Sequence, residues 1–223
     1  MNNWSLHWLE ASGNLEPHRA EILDSFEAAY RSISTLLPPP RLDILIQRLA
    51  GQTIPELGMV GFAHRSTLFA LTLDPDNPNF SKSLAEKALH RQIVHEVHHC
   101  LRMAGPGYGW TLGEALVSEG LAGRFVHKLL DTPPEPWERA VSRERLLSSP
   151  VELNTLKSSD YDHEAWFFGQ DPHPRWHGYT LGYEMVACWQ KDAGEIDAAA
   201  WINVSAETVI KAAVKGGLVA QHP

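Results

Sequence analysis

Five consecutive residues, His95-Glu96-Val97-His98-His99, constrain this chain more than any other feature of it. They read HExxH. Four-residue spacing on an α-helix stacks His95 and His99 on one face, about one turn apart. A third donor, Glu119, follows His99 by twenty positions. Two neutral imidazoles and one carboxylate make an open three-ligand zinc site, with a coordination position left for water that a closed structural site lacks. Glu96, next to the first ligand, is placed to take a proton from that water. His98 points about a third of a turn away from the ligand face and is expected beside the site or at the surface.

The surrounding pattern supports helices at both places. Ser83 to Ala104 reads as one helix: Ser83 and Glu86 fit a capping box, and Leu84, Leu89, Ile93, Val94, Val97 and Leu101 supply an apolar face. Gly105-Pro106-Gly107 stops it. A second helix is expected from Thr111, with Thr111 and Glu114 as its capping box, to about Leu130. Glu119 falls inside it among Leu116, Val117, Gly120, Leu121 and Ala122, a neighbourhood suited to packing. Cys100 directly follows His99, but its direction on the helix makes it a small buried residue rather than a ligand.

At these residues the chain resembles the gluzincins, zinc peptidases with two histidines and a downstream glutamate, and its His99-to-Glu119 spacing matches the thermolysin-like pattern. It is also similar to a bacterial family of predicted Zn-dependent proteases, the YjaZ-like domain of unknown function. That similarity runs through Ile54-Pro-Glu-Leu-Gly-Met-Val-Gly61, His95 to Arg102, Thr111 to Phe125, and Arg175-Trp-His-Gly-Tyr-Thr-Leu-Gly-Tyr183. The resemblance implies a zincin-like α+β fold: a small, twisted, mostly antiparallel sheet packed on the HExxH helix, and a mainly helical C-terminal part. It implies Zn²⁺ as cofactor, held by His95, His99 and Glu119. One departure stands out. Thermolysin-like enzymes carry an acidic residue four positions after the glutamate ligand, where this chain has Gly123. The group that orients His95 is therefore expected from elsewhere, or from a backbone carbonyl.

The oxyanion formed when water attacks a carbonyl needs a second electrophile beside the metal. By resemblance to the family's Gly-Tyr-x-x-Gly pattern, Tyr179 is the first choice and His177 the second, with Tyr183 and Arg175 also in the segment. Trp176, Tyr179 and Tyr183 equally suit core aromatics on a helix face. His163 and His173 are expected in a surface loop.

Length and pattern favour a single domain over 1–223, comprising a helix and sheet in 1–80, metal-site helices in 81–130 and a helical lobe in 131–223. Residues 15–36 read as an amphipathic helix ended by Pro38-Pro39-Pro40. Strands are expected at 41–47, 58–62 and 67–73, the last two as a hairpin around His64-Arg65-Ser66. The 67–73 strand is the candidate sheet edge for pairing with extended substrate. Asp74 to Asn79 reads as a loop, 160–178 as a loop dense in aromatics and histidine, and 179–190 and 205–214 as helices.

A net charge of −8 without a basic cluster argues against nucleic-acid binding. No stretch reaches the length of a membrane span, and the first residues lack the features of a signal peptide. Two cysteines, Cys100 and Cys188, fit a reducing compartment, though a disulfide between them stays open. A cytoplasmic protein acting on a peptide or protein substrate is the expectation. The chemistry expected is a zinc-dependent hydrolase, by preference a peptidase, with Glu96 as general base. The alternatives are a noncatalytic metal-dependent peptide-binding or regulatory protein, and a closed fold-stabilising site completed by His163, His177 or Cys188.

Overall fold

The computed structural model describes residues 3–221. The chain divides into two compact units, with the division between Ala104 and Gly105.

The first unit begins with strand β1 (Trp4–Leu9), in which Trp4, Leu6 and Trp8 alternate with Ser5 and His7. Helix α1 (Arg19–Ser34) follows and turns Ile22, Phe26 and Ile33 inward. The chain returns as β2 (Leu42–Arg48), parallel to β1, as a β–α–β crossover requires. Strands β3 (Met59–Arg65) and β4 (Leu68–Leu73) form the expected hairpin, with a register shift between Ala63 and Arg65. β4 slots in beside β2, so the order is β1-β2-β4-β3. The sheet is thus mixed. Two of its three pairings are parallel, where a mostly antiparallel sheet was expected. The difference arises from β1, unforeseen as a strand, and from the insertion of β4. It also makes 67–73 an interior strand; the edge beside it is β3.

One face of the sheet is the core. Trp4, Ile44, Ile46, Met59, Phe69 and Leu71 are buried there, and the Trp4 ring meets Phe26 and Tyr30 edge-on. Two helices complete the unit. They are α2 (Phe80–Ala85) and α3 (Ala88–Met103), in place of the single helix expected over 83–104. Lys87, at φ 61, adopts the left-handed conformation and separates them. Ser83 is buried inside α2 instead of capping it. α3 then lays Ile93, Val94 and Val97 into the core.

The second unit is mainly helical. α4 (Leu112–Leu130) starts at Thr111, and the expected capping box is present: the Thr111 hydroxyl accepts from the Glu114 amide, and the Glu114 carboxylate accepts from the Thr111 amide. A 3-10 turn at Pro136–Arg139 precedes α5 (Arg143–Ser148). The two-residue strand β5 (Val151–Glu152) runs into α6 (Leu153–Leu156). α7 (His177–Ala193), α8 (Ala198–Asn203) and α9 (Ala206–Lys215) follow, and β6 (Val219–Ala220) pairs in parallel with β5. Small residues let α4 and α7 approach closely. A Cβ added at Gly120 would lie 2.1 Å from the Gly182 carbonyl oxygen. Leu116, Leu121, Phe125, Leu181, Met185 and Trp201 fill the core between these helices. Cys100 and Cys188 are both buried free thiols.

Candidate metal centre

The first unit supplies the motif helix. One turn of α3 brings His95 and His99 together, with ring centroids 4.7 Å apart and planes at 80°. Their Nε2 atoms are 3.0 Å apart. Two nitrogen lone pairs at that distance repel, so either a proton or a cation belongs between them. Nitrogens sharing one tetrahedral zinc at about 2.0–2.1 Å stand roughly 3.3 Å apart, close to the observed separation. The pair therefore suits a divalent transition metal.

Glu96 is 3 % exposed. Gln92, one turn earlier, donates Nε2–H to its Oε1 at 2.9 Å. The carboxylate lies against β3 at Gly61: a Cβ there would come within 2.4–2.6 Å of Glu96 Cγ, Oε1 and Cδ. Only a glycine on the edge strand leaves this room. His98 is fully buried, not at the surface, and Arg102 is buried too. Burial, reinforced by the Glu96 charge, pushes the Cys100 thiol up to about 12, so it stays protonated. Burial lowers Arg102 to about 10.

The second unit carries Glu119 on α4. The Tyr108 hydroxyl donates to Glu119 Oε1 at 2.7 Å. Burial and then the Glu119 charge hold the Tyr108 phenol well above its ordinary range, and Tyr179 and Tyr161 add to the effect. Tyr179 therefore belongs to the surroundings of Tyr108. Its ring packs edge-on to Phe167 at 5.0 Å. His163 lies flat on the Phe167 ring, centroids 4.4 Å apart; burial lowers its pKa while Glu119 opposes the shift. The expected surface histidine is thus within the field of Glu119.

The remaining candidates lie elsewhere in the unit. His177 opens α7 with its ring stacked on His173 and tilted against Trp166. Its buried Nδ1 has no hydrogen-bond partner among the described residues. Burial, with His173 and Arg145 nearby, brings its pKa down to about 4, so it is neutral at pH 7. Tyr183 lies under the Arg124 guanidinium at 3.6 Å, and burial raises its phenol to about 12. The Arg175 guanidinium covers the Trp176 ring at 4.4 Å.

Gly123 has its own explanation. A Cβ there would lie 2.0 Å from Glu138 Oε1, and Glu138 is 6 % exposed. The 3-10 turn thus brings a buried carboxylate to the α4 turn where thermolysin-like enzymes carry an acidic side chain of the helix itself. Gln92, Tyr108 and Glu138 had no motif to mark them in the sequence, and Gly61 only ended a stretch of family resemblance. His163 was visible as a loop histidine or as the closing ligand of a structural site.

α3 thus carries two imidazoles whose Nε2 atoms face each other and, next to the first in sequence, a buried carboxylate. The chain belongs to the family described as predicted Zn-dependent protease (DUF2268), whose model matches residues 22–211. No curated protein and no solved structure matches it. Among the described residues no helix is long and apolar enough to cross a membrane.

Proposed function

We propose that this protein is a zinc-dependent peptidase of the gluzincin type on a zincin-like scaffold, with His95, His99 and Glu119 as the ligand set. The observation that carries the reading is the pairing on α3 of two Nε2 atoms 3.0 Å apart with a buried, hydrogen-bonded Glu96 carboxylate between them in sequence. The family description agrees with it. Zinc supplies Lewis acidity, polarising a substrate carbonyl and making water acidic enough to lose a proton near neutral pH.

The chain's own residues do the rest. Glu96 takes the water proton and passes it to the leaving amine, while Gln92 Nε2 holds its Oε1 in place. Beyond Met59, which Ile54 bridges, the outer edge of β3, against which Glu96 lies, is where an extended peptide adds as a strand. Tyr179 donates to the developing oxyanion. Its place near Tyr108, the hydrogen-bond partner of Glu119, favours it over His177, which packs among Trp166 and His173.

Glu96→Gln tests the mechanism. The variant should bind one zinc per chain like the wild type and lose peptide hydrolysis by at least about 10²-fold, the range of general acid–base contributions. Undiminished cleavage by a folded, zinc-loaded Glu96→Gln protein would refute it.

A further inference from the structure

We propose that Tyr108 is a positioning residue for the metal centre: it occupies one oxygen of Glu119 so that the other is presented to the ion. The inference rests on the reading of Glu119 as a ligand.

A carboxylate has two oxygens and can bind a metal through one or both. Only the first mode keeps a three-residue site four-coordinate once water is present. Tyr108 selects between them, because its hydroxyl lies 2.7 Å from Glu119 Oε1. An ionised carboxylate only accepts, so the phenol is the donor. A bond of this kind, to a charged acceptor, is among the stronger ones available to a side chain.

Tyr108 is itself fixed. Ser118, the residue before Glu119, donates its hydroxyl to the Tyr108 carbonyl at 2.7 Å. Gly107 and Gly109 flank it at φ 92 and φ 102, conformations that favour glycine. A Cβ at Gly109 would lie 2.1 Å from Glu114 Cβ, so the chain crosses tightly over the first turn of α4. Both ends of the Tyr108–Glu119 pair are thereby tied to α4: one through the peptide chain, the other through Ser118. Such partners of metal ligands typically contribute 10–100-fold to metal affinity.

The experiment measures zinc affinity by competition with a chromophoric chelator, for the wild type, Tyr108→Phe, Glu119→Ala and the double variant. Thermal unfolding of each metal-free protein serves as the check on folding. Tyr108→Phe should bind zinc about 10–100-fold more weakly with metal-free unfolding unchanged. Glu119→Ala should lose more, and adding Tyr108→Phe to it should change nothing further. Cobalt supplies a second readout. Loss of the phenol should weaken the visible absorption bands as the carboxylate spreads to both oxygens and the coordination number rises. Wild-type zinc affinity and cobalt spectrum in folded Tyr108→Phe, with Glu119→Ala impaired, would overturn the proposal and leave the ligand set standing. Unchanged affinity in Glu119→Ala would instead remove Glu119 from the set and the proposal with it. If Tyr108→Phe does not fold, Tyr108→Leu carries the same comparison.

Discussion

Gly61→Ala isolates the contact between the edge strand and Glu96, the proposed base. The added Cβ would sit 2.4 Å from Glu96 Cγ, 2.5 Å from Oε1 and 2.6 Å from Cδ, whereas ordinary contact begins at 3.4 Å. The atoms in the way all belong to one side chain, so Glu96 must move by about 1 Å. A misplacement of that size can cost about 10²-fold in rate, which corresponds to roughly 2.7 kcal/mol of barrier. The move also strains the bond from Gln92. Overpacking costs about 1–3 kcal/mol of stability, so melting should fall by several degrees without loss of the fold. The assay is kcat and KM on a cleavable peptide, with zinc content and thermal unfolding measured on the same preparations. kcat should fall with KM nearly unchanged, and zinc should stay at one per chain. In a Glu96→Gln background the alanine should have no further effect, because the group it displaces is already inactive. A folded, zinc-loaded Gly61→Ala protein with kcat within about threefold of wild type would refute the reasoning, as would a double variant well below Glu96→Gln alone.

Two further outcomes follow from local features. Thr111→Ala removes the hydroxyl that caps α4 and should cost about 1 kcal/mol, lowering the melting temperature by about 2–4 °C in differential scanning fluorimetry; no shift would mean the cap is dispensable. His177 has a pKa near 4 in the folded protein against 6.5 for an unhindered imidazole. The folded state binds fewer protons, so this contribution is fully present above pH 6.5 and is lost as pH falls from there towards about 4. Urea midpoints for His177→Gln should therefore show a shallower decline than wild type across that window, and identical slopes would show that His177 is not desolvated.

What the sequence made legible was local. His95, Glu96 and His99 declare themselves because the i,i+4 relation is built into any helix, and the Thr111–Glu114 cap is likewise contained in four residues. The break at Lys87 was not legible, since a left-handed lysine carries no glycine or proline to mark it. Trp4, Leu6 and Trp8 do alternate, but a six-residue strand declares neither its neighbour nor its direction. The direction follows from the crossover through α1, and the place of β4 from pairing across more than twenty residues. Around the candidate site, the glycine at 123 was visible as a missing acid, yet nothing in the chain pointed to Glu138 as the group filling that space. Tyr108 was hidden for the same reason: its partner is set by the path of a loop, which has no period.

The close passage of α4 over α7 has a mechanical consequence. At Gly120 and Gly182 the two helices touch backbone to backbone, and a packed contact of that kind does not slide by fractions of a residue. Glu119 is the neighbour of one glycine, and Tyr179 lies three residues before the other. The spacing between the carboxylate and the phenol is thus set by main-chain atoms rather than by adaptable side chains. Both groups are carried by one tightly packed helix pair, and the rings of Phe167, Phe168 and Trp176 hold the Tyr179 ring against it.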